Sequence, residues 1–193
     1  MDDGKSLSSI KNHPSIYISH FKKMRLYFKA ILAILFLTII VLSSGCRNNS
    51  DECNYDLNLA GVDATQLEED ITAIDAYLSE NNIENVQEHS SGLRYVIKEQ
   101  GSGKTPELCS QVSVNYQGKL MSDGTTFDQS QSPVTFPLRN LIYGWQIGIP
   151  LLQSGGSITL YIPSVYAYGS TGSGESIPPN ANLIFEVELV HVQ

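Results

Sequence analysis

Hydrophobic residues at alternate positions organise the C-terminal half of this chain. Between Leu183 and Val190, Leu183, Phe185, Val187 and Leu189 share one side, with Ile184, Glu186, Glu188 and Val190 on the other. That period of two predicts a half-buried antiparallel strand. The same alternation sets Leu93, Tyr95 and Ile97 against Arg94, Val96 and Lys98. It returns in Val112, Val114 and Tyr116, and again in Ile158, Leu160 and Ile162. Asp123-Gly124 is a strong hairpin signal and leads into Thr125-Thr126-Phe127-Asp128. Trp145, Ile149 and Leu152 fall on one helical face, Pro150 keeps that helix short, and Ser154-Gly155-Gly156 closes it. A succession of antiparallel strands with one late apolar helix predicts an α+β fold in which the helix covers the sheet.

Two further stretches complete the elements. The segment Gly169 to Asn180, with three glycines near its start and Pro178-Pro179 at its end, is incompatible with helix and reads as a long ordered loop. Loops of that length in a compact domain are usually functional, and this one is bracketed by aromatics, as the rim of an apolar pocket would be. Earlier in the chain, Leu67, Ile71, Ile74 and Leu78 recur at helical spacing, Thr65 and Glu68 form a candidate capping box, and Asn81-Asn82 ends the pattern. A helix of about four turns is marginal alone, so its stripe needs a partner, either the neighbouring domain or a second copy.

The N-terminal pattern is different in kind. Ala30 to Leu42 is an unbroken apolar run, preceded by Lys22, Lys23, Arg25 and Lys29 and followed by Ser43-Ser44-Gly45-Cys46. A basic start, an apolar run shorter than a bilayer span and small residues before a cysteine read as a lipoprotein signal, with Cys46 the lipidation site. Ser43 departs from the leucine usual three positions before that cysteine. Met24 begins a complete signal by itself. The expected organisation is a non-native extension over 1–23, a signal peptide over 24–45 and a flexible tether over 46–62. A helical arm and linker over 63–90 and a globular domain over 91–193 follow. The 16 residues from Arg47 to Val62 would reach roughly 50 Å if fully extended.

Removing the signal changes the charge. It takes away Lys5, Lys11, Lys22, Lys23, Arg25 and Lys29 but only Asp2 and Asp3, so the net charge moves from −8 to −12. So acidic a chain carries no electrostatic footprint for nucleic acid, and its membrane attachment would be through lipid. Cys53 and Cys109 remain; they either form a disulfide tying tether to domain or stand as two thiols. Their spacing matches no metal motif. The mature part holds only His89 and His191, with no paired carboxylates at useful spacing and no nucleophile elbow, so neither metal nor cofactor is expected. Gly169 to Gly174 is glycine-rich, but no lysine follows and no helix begins there, which excludes a phosphate loop.

Tyr166-Ala167-Tyr168-Gly169, Ile177-Pro178-Pro179-Asn180-Ala181 and Leu183-Ile184-Phe185-Glu186-Val187-Glu188-Leu189 together resemble the C-terminal third of the FKBP-type peptidyl-prolyl isomerases. The resemblance extends over the whole chain from Ser91. Pro133 to Leu138 and Tyr161-Ile162-Pro163 point to the bacterial, macrophage-infectivity-potentiator-like branch. It implies a twisted five-stranded antiparallel sheet wrapped around one short helix, preceded here by a short helical arm. Bacterial relatives of that kind dimerise through much longer N-terminal helices, so packing of this helix within the chain is favoured.

The resemblance also implies a proline pocket made by Tyr116, Phe127, Asp128, Phe136, Leu141, Ile142, Trp145, Tyr168, Ile177 and Phe185. Trp145 would be the floor and Tyr116, Phe127, Phe136 and Phe185 the aromatic walls. The Tyr168 hydroxyl and the Ile142 N–H would meet substrate carbonyls. The implied partners are proline-containing unfolded or exported polypeptides, with macrolide inhibitors as competitors. Departures from the family lie in the shortened loop Gln129 to Ser132, which lacks the usual arginine, and in the slight rim Ser173 to Ser176. They keep open a second reading, a catalytically weak binding or chaperone lipoprotein using the same cleft. A third, a surface adhesin or scaffold, rests only on the anchor.

Overall fold

The computed structural model describes Cys53 and residues 55–193; the apolar run at 30–42 and Cys46 lie outside them. Helix α1 spans Ala64–Glu80. Strands β1 (Gln87–Glu88), β2 (Arg94–Glu99), β3 (Gln111–Leu120), β4 (Thr126–Gln129) and β5 (Val134–Pro137) precede helix α2 (Tyr143–Gly148). Strands β6 (Gly156–Ile162) and β7 (Leu183–Val192) complete the sheet. Single 3₁₀ turns lie at Leu138–Asn140, Ile149–Leu151, Ser164–Tyr166 and Gly169–Thr171. The last is a correction to the loop expected to hold no helix. One such turn asks only three residues, and Gly169 and Gly172 enter and leave it at φ +54° and +67°.

All pairings are antiparallel, in the order β1-β2-β6-β7-β3-β4, with β5 also on β3. The seven strands reduce to the five expected positions and a two-residue addition. Strands β4 and β5 share one edge of β3, β4 opposite Gln117 to Lys119 and β5 opposite Gln111 to Val114. The short β1 extends the edge at β2. Between β3 and β4, Leu120 N donates to Thr125 O at 2.9 Å, and Gly124 turns the chain at φ +73°.

Register puts Tyr95, Leu160, Phe185 and Gly118 in one row across the sheet. With Val114, Ile158, Ile162, Leu183, Val187 and Leu189 they form the inner face, over which α2 brings Trp145 and Ile147, and the 3₁₀ turn after it brings Ile149. Helix and sheet lie close because Gly144 and Gly148 face Ile162 and Leu160, where a Cβ would collide with the side chain opposite.

The outer face is covered at one end by α1. Ile74 and Leu78 pack on Tyr161 and Ile184, with Tyr77 and Val96 at the margin. That explains why β6 is buried on both faces, whereas β7, expected to alternate, also buries Ile184. The stripe of α1 thus finds its partner within the chain. Arg94 fixes the position, donating from Nε and Nη2 to the Asp75 carboxylate at 2.8 and 3.0 Å. The α1 cap differs from the expected Thr65 and Glu68 box. Asp63 Oδ1 accepts from the N–H groups of Thr65 and Gln66 at 3.0 and 3.1 Å, so the helix starts two residues sooner.

The segment before α1, expected as part of a free tether, is docked. Cys53 is bonded to Cys109, and Leu57, Leu59 and Val62 pack against the main core. Among the described residues no helix is long and apolar enough to cross a membrane, and no cluster of side chains fits a metal ion.

Candidate functional site

Nine of the ten residues singled out in the sequence line one cleft of about 200 Å³: Tyr116, Phe127, Asp128, Phe136, Leu141, Ile142, Trp145, Tyr168 and Phe185. The tenth, Ile177, does not line it; it is buried in the core and pairs with Ser173 through both backbone groups. Three strand pairs, a helix and two loops supply the nine. Tyr116 stands in mid-β3, Phe127 and Asp128 on β4, Phe136 on β5 and Phe185 on β7.

Trp145, only 4% exposed, is the floor. Tyr116, Phe136 and Phe185 meet it edge to face, with centroids 5.3, 6.4 and 5.2 Å away, and Phe127 meets Phe185 the same way at 5.6 Å. Edge-to-face packing puts the positive ring edges against the negative faces, which fixes these rings beyond simple burial. Trp145 Nε1 is buried without a hydrogen-bond partner among the described residues.

The polar edge is built from two tyrosines and one carboxylate. Tyr116 donates its hydroxyl to Asp128 Oδ2 at 2.8 Å. Burial, and then the Asp128 carboxylate, push the Tyr116 phenol up to about 12. Tyr168 is raised as well, by burial first and Asp128 second, yet it is 37% exposed at the rim. Both phenols are therefore neutral donors near neutral pH. Ser130, in the shortened loop, accepts from Tyr116 N at 2.9 Å, so the loop is held to β3.

Two supporting residues were not anticipated. Gly118 lies beneath Phe127 and Phe185; a Cβ there would come within 2.6 and 2.7 Å of the two rings. Buried Gln146 donates from Nε2 to Leu141 O at 2.6 Å and Arg139 O at 3.2 Å, which pins the turn that presents Leu141 and Ile142. A polar residue inside the apolar helix Tyr143–Gly148 was the available signal, since a buried amide is there to bond something. A larger concavity, about 440 Å³, lies on the polar side of the sheet beside Lys98, Glu186 and Glu188 and has no converging rings.

Comparison with known proteins agrees with this arrangement. Residues 102–190 match the FKBP-type peptidyl-prolyl cis-trans isomerase family. The chain is 48% identical over 122 residues to the probable FKBP-type peptidyl-prolyl cis-trans isomerase FkpA of Neisseria meningitidis, covering 61% of this chain and 44% of that protein. It is 39% identical over 122 residues to the peptidyl-prolyl cis-trans isomerase Mip of Coxiella burnetii, covering 61% and 53%. The chain thus spans about half the length of these curated relatives. Among solved structures, the peptidyl-prolyl cis-trans isomerase from Pseudomonas syringae pv. tomato superposes with a TM-score of 0.58 at 34% identity, covering 69% of this chain and 99% of that one.

Proposed function

The chain belongs to the FKBP-type peptidyl-prolyl cis-trans isomerase family, and from that premise we propose that it accelerates the cis/trans isomerisation of X-Pro bonds in exported polypeptides. The observation that carries this reading is the convergence of nine family-pattern residues on one aromatic cleft. The X-Pro bond resists rotation by ~18–20 kcal/mol, through the partial double-bond character of C–N. Uncatalysed, the exchange takes roughly 10–100 s at 25 °C. The planar ground state separates charge between oxygen and nitrogen, and water stabilises it more than the twisted form. A proline ring held over Trp145, between Tyr116, Phe127, Phe136 and Phe185, leaves that water behind. The Ile142 N–H and the Tyr168 hydroxyl donate to flanking carbonyls and hold the chain in a turn compatible with the twist. Asp128 keeps Tyr116 in place as a wall, and no proton needs to move. Each ~1.4 kcal/mol removed from the barrier is a tenfold gain in rate.

A protease-coupled assay on an X-Pro peptide tests this. The wild-type protein accelerates isomerisation, and Phe127→Ala lowers kcat/KM at least about tenfold, with macrolide competition at the same cleft. No acceleration by wild type, with aggregation suppressed equally by wild type and Phe127→Ala, supports the holding reading instead.

The same proposal places the protein at the bacterial cell envelope, anchored by acyl chains on Cys46. The Cys53–Cys109 disulfide supports an oxidising compartment. Labelled palmitate entering wild type but not Cys46→Ser checks the anchor; normal processing of Cys46→Ser to a soluble form overturns it.

A further inference from the structure

A second cleft, about 270 Å³, takes part of its lining from residues next in sequence to two that line the first. One wall is Gly61, Val62 and Asp63, from the docked segment before α1; the other includes Tyr143, Gly169 and Ser170. The boundary between the two clefts is one residue thick on each side. Ile142 lines the first and Tyr143 the second; Tyr168 lines the first and Gly169 the second. Consecutive Cα atoms are about 3.8 Å apart, so at both places the two linings come within one residue step of each other, a short distance for an extended client chain.

We infer that this cleft is a subsite for the client polypeptide, holding the extended residues that flank the proline. The inference rests on the isomerase reading for the identity of the occupant. Continuity with the aromatic cleft argues for that occupant. So does the exposure of Tyr143, 37%, equal to that of Tyr168 at the neighbouring rim. Large side chains left half in water at the mouth of a groove provide apolar area that a peptide can cover. Gly61, Gly169 and Ser170 add little side-chain bulk to the lining, which leaves room for a client side chain beside Tyr143 and Val62. The Asp63 carboxylate, already capping α1, disfavours an acidic client residue there. The wall at 61–63 lies outside the 102–190 family match.

The test uses the described chain and two substrates with the same X-Pro core, a tetrapeptide and a peptide of about 12 residues, long enough at ~3.3 Å per residue to cross both clefts. Gly61→Phe fills the groove without strain, because a Cβ at Gly61 meets nothing within 4 Å. Tyr143→Ala removes the opposite wall. Both variants lower the affinity of the long peptide, read by fluorescence anisotropy, by about five- to tenfold. Both leave kcat/KM for the tetrapeptide within about twofold of wild type. Equal losses for the two substrates, or no loss for the long one, overturn the inference. Wild type inactive on both substrates sinks the isomerase reading alone. Long-peptide affinity that still falls in Gly61→Phe then upholds the subsite.

Discussion

Asp70 of α1 is 3% exposed, and its Oδ2 accepts the Ser164 hydroxyl at 2.7 Å from 94 residues away in sequence. The same oxygen accepts Val165 N at 3.3 Å, and Oδ1 accepts Gln66 Nε2 at 3.1 Å. The turn Ser164–Tyr166 leads directly to Tyr168 at the rim, and Tyr166 extends the clamp by donating its hydroxyl to Ser91 O at 2.7 Å. A helix outside the 102–190 family match therefore holds the base of a loop belonging to the site. Asp70→Ala leaves a buried hydroxyl and N–H without acceptors and is expected to cost about 2–3 kcal/mol. Ser164→Ala costs about 1 kcal/mol. Urea unfolding of both and of the double variant checks this, and the two effects are expected not to add.

Gly118→Ala is expected to damage the cleft more than the fold. The new methyl group pushes Phe127 and Phe185 apart at their contact. Overpacking of this kind costs about 1–3 kcal/mol. Isomerase kcat/KM falls by about tenfold or more while the thermal transition stays cooperative. A fully active Gly118→Ala protein would mean the two rings need not touch.

The Tyr116 phenol gives a pH signature. Its folded pKa, about 12, lies above the ordinary value of 10.0, so the folded state holds the proton more tightly. The corresponding stability is fully present below about pH 10 and is lost as pH rises toward 12. Denaturation midpoints measured across that window fall in wild type, and less steeply in Tyr116→Phe. An identical slope in the two proteins would assign the loss to other groups.

The sequence was most legible where neighbours along the chain decide the outcome. Period-two runs located β2, β3, β6 and β7; the short helix at Trp145 was expected, but it ends at Gly148, so Ile149 falls in the following 3₁₀ turn and Leu152 in extended chain rather than on the helical face. The cleft residues came as a set because the family motifs carry them together. Gly118, Gln146 and Asp70 were not legible. Each acts through a partner fixed only by tertiary packing: two rings, a turn carbonyl, a hydroxyl on another segment. Ile177 followed the motif but is buried in the core and does not line the cleft. The N-cap was misplaced because Asp63 outcompetes Thr65 two positions earlier.

Reduction of the disulfide, or Cys109→Ser, releases the segment before α1. Cross-linking residues 56 positions apart is worth up to about 4 kcal/mol by loop-closure entropy. A loss of that order in denaturant, with the long-peptide affinity reduced as well, is the expected result. Unchanged stability would show that the docked Leu57, Leu59 and Val62 hold the segment unaided.

The disulfide also sets a leash length. If Cys46 carries the proposed acyl chains, the span from anchor to domain ends at Cys53 instead of Val62, and its fully extended length is roughly 25 Å instead of roughly 50 Å. A hemisphere of half the radius encloses about an eighth of the volume. Under that proposal a polypeptide emerging at the same membrane would meet the cleft at about eight times the effective concentration.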